Sequence, residues 1–232
     1  MVGRDVYASG RYVGHFQPDR ARNPFRALYG RKREDVISAV AAQVPAGGTV
    51  LDLGGGPGRM AVPLAGRYKV TLGDVSSDML SMARGAAAEA RIPTANLGLL
   101  RLDAAGPLPF PRALFDCALC IDVLAHLREP EHTLAELRRV LRPGGLLLID
   151  ASNRSPWWLL RYPRALGRRP ESWWATWRAG GIRPEWLENV RHLTSTEFAG
   201  LLREAGFATF QSWRYGPGWC PKWFLAGCRA PS

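Results

Sequence analysis

No apolar run in this sequence approaches the roughly 20 residues that a membrane-spanning helix requires. The opening stretch MVGRDVYASGRYVGHF also lacks the apolar centre of a secretory signal, so a cytoplasmic location is the expectation. Cysteine is sparse, at Cys117, Cys120, Cys220 and Cys228, and this spacing offers no disulfide framework. Cys117 and Cys120 form a CxxC inside the apolar run FDCALCID. A strand turns residues three apart to opposite faces, so the pair reads as buried thiols and no metal is expected. Lysine is sparser still: Lys32, Lys69 and Lys222 are three among 31 basic residues. The formal charge of +11 therefore rests on scattered arginines, clustered only from Arg20 to Arg33 and from Arg161 to Arg169. Such a charge admits a nucleic-acid partner, but scatter favours a solvated surface or an acidic small molecule.

What is present suits a globular chain. Its 232 residues, 47% of them hydrophobic and 22% charged, can bury a core unaided. There is no internal repeat. Residues 1–46 read as irregular chain leading to a helix (REDVISAVAAQV), an N-terminal helical lid. Residues 47–152 alternate short apolar runs with helical patterns, the signature of βαβ units. Strands are predicted at 49–53, 69–74, 97–102, 115–121, 146–151, 207–215 and 222–228, with helices near 58–66, 77–90 and 130–142. Residues 153–192, rich in tryptophan, arginine and proline, would form a cap between the fifth and sixth strands. Residues 193–232 supply a closing helix and two strands turned by the GPG at 216–218. The expectation is one domain with a seven-stranded mixed sheet, its last strand antiparallel and helices on both faces.

The run VLDLGGGPGR at 50–59 opens a strand into glycines and then a helix. Ligands in open α/β sheets bind just beyond the carboxyl ends of the strands. Glycines let backbone approach a ligand, and a helix start offers free N–H groups. A nucleoside triphosphate loop would need GxxxxGK[ST], and no lysine stands here. A dinucleotide loop of the form GxGxxA is satisfied by Gly56, Gly58 and Ala61, with Asp74 following. Against it, Gly54 rather than Gly56 opens the turn.

The loop DLGGGPG (Asp52, Gly54, Gly56, Gly58) resembles that of class I S-adenosylmethionine-dependent methyltransferases. Further landmarks of that family follow in order: Asp74 in LGDVSSDML, Asp103-Ala104 in LRLDAAGPLPFP, the run FDCALCIDVLAHL, and RVLRPGGLLLID. RHLTSTEFAGLLREAGF is similar to the family's last helix and sixth strand. The resemblance implies a Rossmann-like, doubly wound α/β fold and S-adenosylmethionine as cofactor. It places Asp74 on the ribose hydroxyls, Met79 beside the adenine, and Asp103 with Ala104 at the adenine amino group. Asp52, Gly54, Gly55, Gly56, Val75 and Cys120 complete the implied cofactor set. A structural role for Asp52, accepting nearby backbone N–H groups, stays open.

His126, in IDVLAHL, falls after the fourth strand, where this family faces the methyl group, and is a candidate base or acceptor-positioning residue. His15 is the second candidate, in the N-terminal segment. His192 precedes the helix-capping residues Thr194 and Ser195 and reads as structural; His132 reads as helix surface. Trp157, Trp158, Trp173, Trp174, Trp177 and Trp186, interleaved with arginines, could enclose a flat or apolar acceptor or glue the cap to the sheet. They also suit an interface with lipid. The implied activity is methylation of an O, N or C centre on a small, aromatic or apolar molecule. Methylation of nucleic acid and a repurposed, non-methylating chemistry are the alternatives; no NPPY follows strand four, where IDVL stands instead.

Overall fold

The computed structural model describes residues 26–153, 192–216, 221 and 223–231. The expectations for His15, for the tryptophans of 154–191 and for Pro217 and Gly218 lie outside the described residues. The sheet contains β1 (Thr49–Leu53), β2 (Lys69–Asp74), β3 (Leu97–Arg101), β4 (Phe115–Cys120), β5 (Leu141–Asn153), β6 (His192–Leu193), β7 (Ala208–Tyr215) and β8 (Trp223–Arg229). Their order is β3-β2-β1-β4-β5-β8-β7, with β6 paired to β5. Eight strands replace the seven expected, the addition being the two-residue β6. Strands β1 to β5 run parallel, and β8 is antiparallel to both β5 and β7. The last strand is thus antiparallel, as expected.

Helices α1 (Arg26–Gln43), α2 (Ala61–Leu64), α3 (Ser77–Glu89), α4 (Pro130–Val140) and α5 (Ser195–Glu204) flank the sheet. Side-chain alternation along each strand sorts the core into two layers. Val50, Leu146 and Leu148 face α1 and α3 through Val36, Val40 and Leu80. Leu51, Leu53, Leu147 and Ile149 face α4 and α5 through Leu134, Leu137, Phe198 and Leu202. The sheet is therefore covered on both faces. Cys117 and Cys120 fall in opposite layers, both fully buried.

Local chemistry fixes several ends. Ser76 caps α3 through its hydroxyl to the Met79 N–H, and Pro130 starts α4, where a missing N–H costs nothing. Thr194 and Glu197 form a reciprocal capping box on α5. Several boundaries shift by a residue or two, the helix expected near 58–66 is the four-residue Ala61–Leu64, and two starts move further. Helix α1 begins seven residues before Arg33, and β5 begins at Leu141 rather than Leu146, because Leu141 already pairs with Phe115 across a register irregularity. Helix α1 leads through Val44 into β1, so its first turns lie at the carboxyl ends of the strands.

Candidate functional site

Strand order reverses between β1 and β4, which opens a crevice at the carboxyl ends of those strands. The glycine turn stands there. β1 ends at Leu53, and Gly54 opens the turn with φ +69°, followed by Gly56 at +54° and Gly58 at +80°. These left-handed angles favour glycine. A Cβ on Gly54 would lie 2.3 Å from the Val123 side chain, and one on Gly55 would lie 2.6 Å from Asp52 Oδ2. A Cβ on Gly56 would meet nothing within 4 Å. The turn is therefore packed on two sides and open at Gly56.

Two carboxylates hold this turn. Asp52 is fully buried, and its Oδ2 accepts the Ala61 N–H at 3.1 Å, tying strand β1 to the start of α2. Burial pushes its carboxyl up to about 7; the Ala61 N–H opposes the shift and Asp74 adds to it. Asp74 ends β2 and accepts the Gly56 N–H on Oδ2 and the Ser76 N–H on Oδ1, each at 2.9 Å. Burial raises its carboxyl as well, against those backbone donors. Each oxygen keeps lone-pair capacity for a further donor.

The raised Asp52 carries a pH signature. An acid whose folded pKa lies above its unfolded value loses stabilisation as pH climbs from the unfolded pKa to the folded one. Asp52→Asn keeps an acceptor for Ala61 and removes that loss. In cofactor-free protein the variant should match wild type near pH 4. It should gain progressively to about pH 7 and stay more stable above it, by on the order of 2–4 kcal/mol. Denaturant titrations at pH 4 and pH 8 check this; a constant difference would show that ionisation of Asp52 is not the cause.

The other expected cofactor residues gather at the same end of the sheet. Asp103 follows β3, accepts the Ala105 N–H at 3.0 Å and shapes a tight turn. The Ala104 carbonyl accepts the Thr133 hydroxyl at 2.9 Å, anchoring that turn to α4. Met79 is buried at the start of α3, and Val75 lies between Asp74 and the cap Ser76. The Val75 carbonyl accepts from Arg101 Nε at 3.1 Å. Cys120 is wholly in the core, where burial holds its thiol far above the usual range; only its backbone can approach a ligand.

Beyond β4 lies a constellation that the sequence did not announce. Lys32, from the second turn of α1, is fully buried and reaches Asp122 Oδ1 at 2.7 Å and Asp150 Oδ2 at 2.6 Å. Its ammonium also stands 5.1 Å from the Tyr29 ring centre and 4.8 Å from that of Trp223. Burial would lower the lysine, but the two carboxylates win and hold it charged. Burial pushes Asp150 up to about 6 despite Lys32. For Asp122 the balance reverses: Lys32 holds its carboxyl below the ordinary range against desolvation. The one available signal was a repeated apolar-apolar-Asp pattern, CID at 120–122 across the end of β4 and LID at 148–150 within β5, together with a lone lysine among arginines at 32.

His126 closes a short 3-10 turn, Leu124–His126, after β4 and is half-buried. Burial lowers its pKa most; Asp122 raises it and His192 lowers it further. His192 joins it because β6 pairs with β5 at Ser152, past the last β4 pairing at Ile149, while β8 occupies the other side of β5. β6 thus takes up the lane that β4 vacates. His192 belongs to the site's surroundings as well as to the sheet.

Residues 51–149 match the family model of the methyltransferase domain. The chain is 30% identical over 185 residues to the ubiquinone/menaquinone biosynthesis C-methyltransferase of Bordetella parapertussis, covering 73% of this chain and 67% of that one. The chain belongs to the class I S-adenosylmethionine-dependent methyltransferases. A probable methyltransferase of Aspergillus luteorubrus is 29% identical over 168 residues, 68% of this chain and 56% of that protein. Against several curated relatives, the chain spans about half of their length. The structure of magnesium protoporphyrin IX methyltransferase from Synechocystis PCC 6803, which holds SAH, shares the fold with a TM-score of 0.73. That likeness comes at 18% identity and covers 99% of this methyltransferase and 98% of that chain. The family's cofactor suits the residues present, with an open backbone face at Gly56 and acids closing β1, β2 and the turn after β3.

Proposed function

We propose that this methyltransferase transfers the methyl group of S-adenosylmethionine to an O, N or C centre of a small aromatic or apolar molecule. The observation that carries the reading is the glycine turn, open at Gly56 and clasped between Asp52 and Asp74 at the strand switch point. The name of the Bordetella relative supports a small-molecule acceptor. When bound, the cofactor supplies an electrophilic methyl group on a sulfonium, and its transfer is an in-line displacement. The chain's own task is then to position two reactants and exclude water.

Asp74, already fixed by two backbone donors, would accept the vicinal ribose hydroxyls in charge-assisted hydrogen bonds. Asp103 with Ala104 would read the adenine edge, and Met79 and Val75 would line its approach. Asp52 serves the turn itself. His126 is the base for an acceptor that must lose a proton; its lowered pKa keeps the imidazole neutral at pH 7, able to take one.

Incubation with the cofactor and a panel of phenols, amines and quinols, read out as S-adenosylhomocysteine by mass spectrometry, tests the activity. Absence of cofactor binding in calorimetry would sink the proposal. With a proton-bearing acceptor, His126→Ala should lower kcat by about 10²–10⁴-fold. Full turnover in that variant would remove His126 from the mechanism.

A further inference from the structure

We infer that Asp122 is a specificity residue that makes the site favour the charged methyl donor over its neutral demethylated product. The inference rests on the cofactor reading above. Asp122 follows β4, the neighbour of β1, and the next side chain, Val123, covers Gly54 of the glycine turn. It is held at three points. Its N–H donates to Asp150 Oδ1 at 2.7 Å, its Oδ1 accepts from Lys32 at 2.7 Å, and its backbone is left-handed at φ +61°. Asp tolerates that conformation better than most side chains. The Asp122 side chain is 44% exposed, while that of Lys32 is 0% exposed.

The end of β4 therefore carries a partly exposed carboxylate fixed in place, while its counter-ion is fully buried. Lys32 with Asp122 and Asp150 leaves one net negative charge once Asp150 ionises. His126 stands beside Asp122, and His192 stands beside His126; burial lowers the pKa of His126 despite Asp122. Donor and product differ by one methyl group and one positive charge. Their adenine, ribose and amino-acid contacts are common and cancel in a ratio of affinities. What remains is the field at the end of β4. A partly exposed pair of unit charges several ångströms apart is worth about tenfold in affinity. Loss of the charge on transfer would then loosen the product from the site that held the donor.

The test needs no acceptor. Calorimetry on the full chain would measure S-adenosylmethionine and S-adenosylhomocysteine against wild type, Asp122→Asn and Asp122→Gly. Both substitutions accept the left-handed backbone, and circular dichroism would verify their folding. The expected result is a donor affinity about tenfold weaker in each variant, with product affinity within about twofold of wild type. In wild type alone, 0.5 M salt should compress the ratio. Equal weakening of both ligands would make Asp122 merely structural and overturn the inference, as would an unchanged ratio. Binding of neither ligand by wild type would overturn the cofactor reading, and this inference with it; binding of both with no change of ratio would overturn this inference alone.

Discussion

Lys32→Met should be the most destabilising single change in the described structure, at about 3–5 kcal/mol. The lysine is fully buried between two carboxylates, one of them 2% exposed. Removing it leaves Asp150 with a buried charge and no cation. For a domain of this size the loss corresponds to a melting temperature lower by about 10 °C. The cause is the uncompensated charge rather than the lost packing, since methionine fills much of the same space. Two consequences separate these. Adding Asp150→Asn to Lys32→Met should restore at least half of the stability, because the amide oxygen still accepts the Asp122 N–H. The deficit of the single variant should also shrink as pH falls towards about 6, because Asp150, already pushed up to about 6 beside Lys32, takes up its proton at higher pH once that cation is gone. A deficit independent of pH and of residue 150 would assign the effect to packing with Tyr29 and Trp223 instead.

Asp74→Ala should weaken S-adenosylmethionine binding by about 100-fold, the loss of two hydrogen bonds to a charged acceptor. The variant removes two things together: the acceptor proposed for the ribose, and the clasp on the Gly56 and Ser76 N–H groups. Asp74→Asn separates them. It retains one acceptor oxygen and the shape but loses the charge, and should fall between, at about tenfold. Calorimetric affinities for the three proteins give the answer directly. An unchanged affinity in Asp74→Ala would sink the assignment of the pocket.

The parts of this molecule that could be read from sequence are those written in consecutive residues. The glycine turn lies in seven adjacent positions, and β1, β2 and β4 are single apolar runs with recognisable ends. The capping pair Thr194 and Glu197 is likewise local. Strand β6 escaped because two residues carry no alternation; its pairing depends on β5 outrunning β4 by several residues. The early start of β5 escaped because Arg142, Pro143 and Gly144 read as a turn, although Leu141 already pairs with Phe115. The Lys32 constellation was hidden for a different reason. Its partners lie 90 and 118 residues away, and only the parallel register of β4 with β5, together with the seating of α1 on that face, brings them together. Composition marked Lys32 as rare without saying where it goes.

The small β6 has a larger consequence than its length suggests. Ser152 and Asn153 pair side by side with His192 and Leu193, so the chain leaves the sheet and re-enters it in adjacent lanes, roughly 5 Å apart. Residues 154–191 are thus a closed excursion whose two ends are stapled by the sheet itself. The entropy of closing such an excursion grows only with the logarithm of its length, so a change of length between these two ends costs the sheet little. Descendants of this sequence could therefore lengthen or shorten that stretch at small thermodynamic cost, because its two ends already stand side by side.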